Sequence, residues 1–311
     1  MTGAPVLIGY DGRADAAAAI APAGALLGPR RAVVACVWEP FADLILHADV
    51  DRMTGTMREA AGEFDAEARN QATATAKEGV ALADKAGFEA EPATARGKSK
   101  AWPTLLRLAD EHDAAAIVVG SRQLSPLKGA LIGSVAAGVL HHSRRPVLVV
   151  PDVEPPNGPA GPLVVAYDGS EHARRAIAEA GRLMPGRAAI VQTVWTSYAA
   201  VASAGRIGMP AALNAASVEA IDREIRERAQ HTADEGTRLA AAAGLQPTAA
   251  LVQANRNVCH MLLESARERN AAAIVAGSRG RSALAEILLG SVSAGLVQHS
   301  PIPVLITPAQ D

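Results

Sequence analysis

Apolar and polar positions alternate along this chain with two different spacings. Short runs rich in Val, Ile and Leu are separated by longer stretches in which apolar residues recur at the spacing of one helix face. Continuous short runs are typical of strands buried on both faces, so the pattern predicts parallel strands joined by crossover helices. The predicted strands are 5–10, 31–38, 89–96, 115–120 and 146–151, then 162–167, 187–195, 247–253, 272–276 and 303–307. The longest helices are predicted over 56–86 and 215–243.

The second half of the chain repeats the first. The segment LIGYDG at 7–12 aligns with VVAYDG at 164–169, and residues 114–151 align with 271–308 without a gap. The repeat predicts an α/β fold of two tandem copies of a five-stranded, doubly wound parallel sheet of Rossmann-like type, with strand order 3-2-1-4-5. Because Pro and Gly crowd the segment between the copies, the predicted organisation is a domain at 1–151, a linker at 152–161 and a domain at 162–311.

The composition excludes several classes of protein. Hydrophobic residues make up 49% of the 311 residues and charged residues 20%, which favours folded domains with aliphatic cores over a disordered chain. The net charge of -2 lacks the positive excess of a dedicated nucleic-acid binder. The first residues lack a signal-peptide pattern, and no apolar run is long enough to span a membrane. We therefore expect a cytoplasmic protein that binds neither membranes nor nucleic acids.

Two separated motifs are expected to meet at one place in each copy. Asp11 and Asp168 follow the first strands, while Gly120 and Gly277 end the fourth strands. In a doubly wound sheet, ligands bind beyond the carboxyl ends of the strands where the winding reverses, here between the first and fourth strands. The sequence therefore predicts one ligand crevice in each copy.

The glycine-rich segment of the second copy has the features of a phosphate-binding loop. The pattern G-x2-G-x9-G-S over 277–291 leads into a helical stretch. Glycines let main-chain N–H groups approach phosphate oxygens, and a following helix adds its free N–H groups and positive dipole end. Ser291 is expected to cap that helix and donate its hydroxyl to a phosphate, with Arg279 or Arg281 supplying positive charge. A plain strand-to-helix turn would use the same glycines, but their recurrence beside a strand ending in Asp favours phosphate binding.

These motifs resemble the universal stress protein family in its tandem form, and the glycine pattern resembles its ATP-binding subclass. The resemblance covers nearly the whole chain. It implies a stress-response protein that acts as a nucleotide-dependent sensor or regulator, with ATP, alone or with Mg²⁺, as its ligand. The base would lie near the first-strand Asp and the end of the second strand, and the phosphates along the glycine loop. The site residues implied are Asp11, Val37, Val119, Gly120, Gly133, Ser134, Val135 and Ala136 in the first copy, and Asp168, Val194, Ala276, Gly277, Gly280, Gly290, Ser291, Val292 and Ser293 in the second.

The first copy departs from the pattern at its second glycine, where it has Gln123. If that position requires a positive φ, a non-glycine residue costs roughly 1–2 kcal/mol, or about tenfold in affinity. Lys128 in the same loop could compensate through its charge. We therefore expect the second site to bind more tightly than the first.

Several alternatives remain open from the sequence. Asp11 and Asp168 could simply shape the turn into the next helix, because Asp is favoured in turns and helix caps. A slow ATPase is a second hypothesis, although Glu286 is the only clear carboxylate in the phosphate loops; no catalytic residue and no metal ligand is predicted. A nucleotide-independent dimeric scaffold is a third. In the family the fifth strand mediates dimerisation, so the resemblance implies an intrachain pseudo-dimer of the two halves, and a homodimer of chains is also open.

Overall fold

The fold is described from a computed structural model. The structure describes residues 3–41, 55–98, 100–121, 132–152, 160–203, 214–280 and 289–308. Contacts within the chain divide it into two compact units, Met1–Glu154 and Pro155–Asp311. Each unit is an α/β domain built from the predicted alternation of strands and helices.

The first unit is a parallel sheet with its crossover helices. Its strands run in the order β3-β2-β1-β4-β5, and each neighbouring pair is parallel. The predicted order 3-2-1-4-5 is therefore confirmed. The elements are β1 (Val6–Gly9), α1 (Ala14–Leu27), β2 (Arg31–Trp38), α2 (Gly55–Lys85), β3 (Glu89–Arg96), α3 (Ala101–Glu111), β4 (Ala116–Ser121), α4 (Ser134–His142) and β5 (Val147–Pro151).

The second unit has the same arrangement, and its description includes a short helix, α6, in a connection whose counterpart in the first unit lies largely outside the described residues. Its strands run in the order β8-β7-β6-β9-β10, again with parallel neighbours. The elements are β6 (Leu163–Ala166), α5 (Glu171–Leu183), β7 (Ala188–Trp195), α6 (Tyr198–Ser203), α7 (Ala215–Ala242), β8 (Gln246–Gln253), α8 (Val258–Glu268), β9 (Ala273–Gly277), α9 (Ser291–His299) and β10 (Val304–Thr307).

The core of each unit is centred on its middle strands. Val6, Leu7 and Ile8 in β1 are almost completely buried, as are the first three residues of β6. Helices cover both faces of a doubly wound sheet, so these strands read as continuous apolar runs. In β3 and β8, which lie at one edge of each sheet, exposed and half-buried residues instead predominate.

The connection after the second strand of each unit is fixed at its start to the long helix. The main-chain N–H of Phe41 donates to Asp65 Oδ1 of α2 at 2.7 Å, and that of Tyr198 donates to Asp222 Oδ1 of α7 at 2.5 Å. The Ser197 hydroxyl donates to the other oxygen of Asp222 at 2.6 Å. The sequence allows these connections, at 39–56 and 196–216, to be lids or surface loops. Residues 42–54 of the first and 204–213 of the second lie outside the described residues.

Candidate functional site

The second unit has an open cavity of about 340 Å³ beyond the carboxyl ends of β6 and β9. Every residue predicted for the second site lines it: Asp168, Val194, Ala276, Gly277, Gly280, Gly290, Ser291, Val292 and Ser293. Arg279, expected to supply positive charge, also lines the cavity. The remaining lining residues were not predicted: Ala166, Tyr167, Ala173, Gln192, Val258 and Leu262. The crevice predicted from topology is therefore present in this unit.

The corresponding cavity of the first unit is smaller, about 100 Å³. Every residue predicted for the first site lines it: Asp11, Val37, Val119, Gly120, Gly133, Ser134, Val135 and Ala136. The remaining lining residues were not predicted: Gly9, Tyr10, Asp15, Ala16, Ala35, Ala101 and Leu105.

One wall of each cavity comes from the helix after the third strand. Ala101 and Leu105 of α3 line the first cavity, and Val258 and Leu262 of α8 line the second. In each pair the two residues are one helical turn apart, a spacing that indicates the buried face of a helix. That spacing does not distinguish a residue that packs in the core from one that lines a cavity, so sequence reasoning missed them.

The two aspartates hold the turn that leads out of the first strand. Asp168 Oδ1 accepts the Ser170 N–H at 2.9 Å, and Asp11 Oδ1 accepts the Arg13 N–H at 3.1 Å. Such hydrogen bonds from a side chain to the main chain two residues on are typical of turns. Each carboxylate therefore shapes its turn while also lining the cavity.

Helix α9 presents unused main-chain donors to the second cavity. The first intrahelical bond runs from the Ala294 N–H to the Gly290 carbonyl at 2.9 Å, while the Gly290 N–H donates to the Ser278 carbonyl at 2.7 Å. The N–H groups of residues 291–293 consequently have no acceptor within the helix. Helix α4 starts in the same way, with a bond from Ala137 to Gly133 at 2.9 Å.

The prediction that Ser291 caps α9 is wrong. Gly290 is the N-cap residue, and no side chain caps the helix. Ser291 is the first residue of the helix and follows the N-cap position. A side chain accepts hydrogen bonds from the free N–H groups of the first turn when it stands at the N-cap itself. The first turn therefore keeps its donors for another partner.

In the second unit, a serine hydroxyl links α9 to the end of β9 through a hydrogen bond that the first unit cannot form. The Ser293 hydroxyl donates to the Gly277 carbonyl at 2.6 Å, whereas the equivalent residue of the first unit is Ala136, which has no hydroxyl. Gly277 itself is required by packing, because a Cβ there would lie 2.7 Å from the main chain of His172.

The structure gives a different reason for a glycine at position 280 from the one that the sequence suggests. Its φ is not among the positive values, so left-handed strain does not explain it. A Cβ on Gly280 would instead lie 3.0 Å from Asp168 Oδ2, tighter than ordinary contact. The two residues that bear on this position in the first copy, Gln123 and Lys128, lie outside the described residues.

The charges around the two cavities differ. Arg279 lines the second cavity, and its Nε is buried without a hydrogen-bond partner among the described residues. Its counterpart in the first unit, Arg122, lies outside the described ranges. Burial, with the nearby Arg279 and Arg175, lowers the pKa of His172 below its usual value. The residue equivalent to His172 in the first unit is Asp15, so two carboxylates, Asp11 and Asp15, line the first cavity. Among the described residues that line it, none is basic.

Two further findings concern the described residues as a set. No helix among them combines the length and apolar character needed to cross a membrane. No group of three or more His, Cys, Asp or Glu side chains within the described ranges could hold a metal ion. Arg281 and Glu286, both considered in the sequence, lie outside those ranges.

Comparison with known proteins gives a consistent family assignment. Universal stress protein Rv2623 of Mycobacterium tuberculosis is 28% identical over 234 residues, which cover 72% of this chain and 72% of that protein. Universal stress protein YxiE of Bacillus subtilis is 31% identical over 144 residues, covering 46% of this chain and 96% of YxiE. The crystal structure of a universal stress protein from Archaeoglobus fulgidus shares the fold over 99% of both chains, with a TM-score of 0.59 and 22% identity.

The match to the family as a whole accounts for both units. The sequence pattern of the Universal stress protein family fits residues 4–151 and, a second time, residues 160–308. Both units were expected to be copies of one domain from the repeat in the sequence, and each now has its own match. The chain belongs to the universal stress protein family, in a tandem form with two domains.

Proposed function

We propose that this protein binds an adenine nucleotide, ATP alone or with Mg²⁺, and acts as a nucleotide-dependent sensor or regulator in a stress response. The observation that carries the proposal is the second cavity, where three unused N–H groups at the start of α9 and the Arg279 guanidinium line the same space as Asp168. Main-chain donors at a helix N-terminus and an arginine are the groups that proteins use for phosphate oxygens.

The lining residues fit a nucleotide at both of its ends. Phosphate oxygens would accept hydrogen bonds from the N–H groups of residues 291–293 and from Arg279, whose buried Nε has no partner in the part of the chain that the structure describes. Val194 and Leu262 offer apolar side chains on which a purine ring could pack. Asp168 would lie beside the base or ribose, where a carboxylate accepts hydrogen bonds rather than repelling phosphate.

The two sites are not expected to be equivalent. The second cavity is the larger, and the first is lined by an additional carboxylate, Asp15, whose counterpart in the second unit is His172. The additional carboxylate repels a polyanion. These differences support tighter binding at the second site, independently of the loop residue Gln123.

A Glu substitution at the first residue of α9 tests the proposal. Ser291→Glu puts a carboxylate where the helix dipole favours it by about 0.3–1 kcal/mol, so the fold should be retained. The same carboxylate would repel phosphates. We expect calorimetric titration of the full-length protein with ATP to resolve two classes of site, and the variant to lose the tighter one by at least about tenfold in affinity.

The control is Ser291→Ala, which removes the hydroxyl without adding charge. It should retain most of the affinity because the main-chain donors remain. Absence of ATP binding by the wild-type protein would reject the proposal and favour the nucleotide-independent scaffold. Formation of ADP at the same site, abolished by Ser291→Glu, would favour the slow ATPase.

The remaining expectations follow from the family resemblance or from the composition rather than from the cavity. Packing of the two domains as an intrachain pseudo-dimer, formation of a homodimer and a cytoplasmic location stay predictions. So does the expectation that neither nucleic acid nor membrane is a partner.

A further inference from the structure

A glutamine in the middle of a buried strand has an unmet hydrogen-bonding requirement. Gln192 lies in β7 and is 1% exposed. Its Nε2 donates to the Met261 carbonyl at 3.4 Å, a long contact, and its Oε1 has no hydrogen-bond partner within the described ranges. Buried polar groups in folded proteins almost always have a partner, and one without a partner destabilises the fold. An acceptor of this kind is suited to a ligand that brings a donor.

Gln192 lies at the cavity rather than in the interior of the core. It lines the second cavity together with Val194, which is two residues further along β7 and therefore on the same face of the sheet. Leu262, of α8, provides an apolar neighbour on the same side. The equivalent residue of the first unit is Ala35, which also lines its cavity and has no polar atom in its side chain.

The sheet order separates Gln192 from the donors proposed for phosphates. Strand β7 lies on one side of β6, and β9, which leads to α9, lies on the other. Phosphate oxygens are acceptors, so they cannot satisfy the free Oε1 of Gln192. An amino group on a purine ring can, and it would reach this side of the cavity when the phosphates lie at α9.

We propose that Gln192 is a specificity-determining residue of the second site, where its Oε1 accepts a hydrogen bond from the 6-amino group of adenine. The inference rests on the proposed function, because it requires a nucleotide in this cavity. Adenine would satisfy the buried acceptor, whereas a purine with an oxo group at position 6 would place a second acceptor against it. The first site, with Ala35, should distinguish the two bases much less.

ATP and ITP provide a matched pair of ligands, since they have the same ribose and phosphates and differ at position 6 of the base. The wild-type second site should bind ATP about tenfold or more tightly than ITP, because a buried acceptor that faces another acceptor is left unpaired. Gln192→Leu keeps a similar volume and removes the acceptor. Its ratio of ATP to ITP affinity should fall to near one, measured by calorimetric titration of the full chain.

Two further variants control for structural effects. Gln246→Leu changes an exposed glutamine at the opposite end of the neighbouring strand β8, and it should leave the ratio unchanged. Gln192→Ala, which copies the residue type of the first unit, replaces Gln192→Leu if the latter does not fold. The melting temperature without nucleotide should not fall in Gln192→Leu, because a buried polar group without a full set of partners is removed.

The outcomes separate this inference from the proposed function. If the wild-type protein binds neither ATP nor ITP, both proposals are overturned. If it binds ATP but the ratio is the same in the wild-type protein and in Gln192→Leu, nucleotide binding stands and the role of Gln192 is rejected. A ratio that falls in Gln192→Leu and is retained in Gln246→Leu supports the assignment.

Discussion

His172 lies where the first turn of α5 passes over the end of β9. Its Nδ1 is buried without a hydrogen-bond partner, and burial is the main cause of its lowered pKa, with Arg279 and Arg175 acting in the same direction. The folded protein therefore holds this imidazole neutral at a pH where the unfolded chain would already protonate it. Since the unfolded state binds more protons, stability is fully present above the ordinary histidine pKa of about 6.5 and decreases as the pH falls below it.

The prediction from His172 is a difference between two pH profiles. The melting temperature of the wild-type protein should fall more between pH 7.5 and 5.5 than that of His172→Asn, which cannot take up a proton. Carboxylates that titrate in the same range are common to both proteins and cancel in the comparison. Parallel profiles would show that His172 does not contribute to the pH dependence of stability.

Single residues also mark the limit of what the sequence could predict about the site. The aspartates and glycines were identified because they recur in both copies beside strand ends. Gln192 differs from its surroundings without recurring, since its counterpart in the first copy is Ala35. A polar residue inside an apolar strand is visible in the sequence, but its missing partner becomes apparent only when the burial and neighbours of the side chain are known.

At the scale of elements, the strands and their order could be predicted well because continuous apolar runs and a repeat constrained them together. Helix starts were less predictable. The sequence predicts Ser291 as the N-cap of α9, whereas the N-cap in the structure is Gly290, one residue earlier. Helix ends are decided by a few main-chain hydrogen bonds, here including that of Gly290 to Ser278, which a pattern of side chains does not encode.

The contact between helices α5 and α7 gives a prediction at this scale. Gly181 of α5 faces the end of α7, and a Cβ on it would lie 2.2 Å from the Ala243 carbonyl oxygen. Gly181→Ala should therefore destabilise the protein by about 1–3 kcal/mol, as expected when a tightly packed contact is overfilled. Denaturant unfolding followed by circular dichroism measures the change.

The matched control is Gly62→Ala in the long helix α2, where a Cβ would have no atom within 4 Å. Alanine is favoured over glycine inside helices, so this substitution should stabilise by about 0.5–1 kcal/mol. If both variants lost stability equally, close packing at Gly181 would not be the cause.

For the whole molecule, the important comparison is between two cavities that share a topology and differ in lining. Ser134 begins α4 as Ser291 begins α9, and both side chains are exposed. Ser134→Glu should weaken only the weaker class of ATP sites, leaving the tighter class within about twofold of its wild-type affinity. Calorimetric titration of the full-length variant measures both classes. Loss of the tighter class in this variant would reverse the proposed order of affinities.

Both cavities belong to one polypeptide, and this fixes their stoichiometry. A symmetric assembly of identical single-domain chains would carry the same lining in every copy, so its sites could differ only through asymmetry of conformation. Here every chain contains both members of each differing pair, Ala35 with Gln192 and Asp15 with His172. With unequal affinities, such a molecule would saturate in two stages as the nucleotide concentration rises, and the cell would obtain a graded response spanning a wider concentration range from a single gene product.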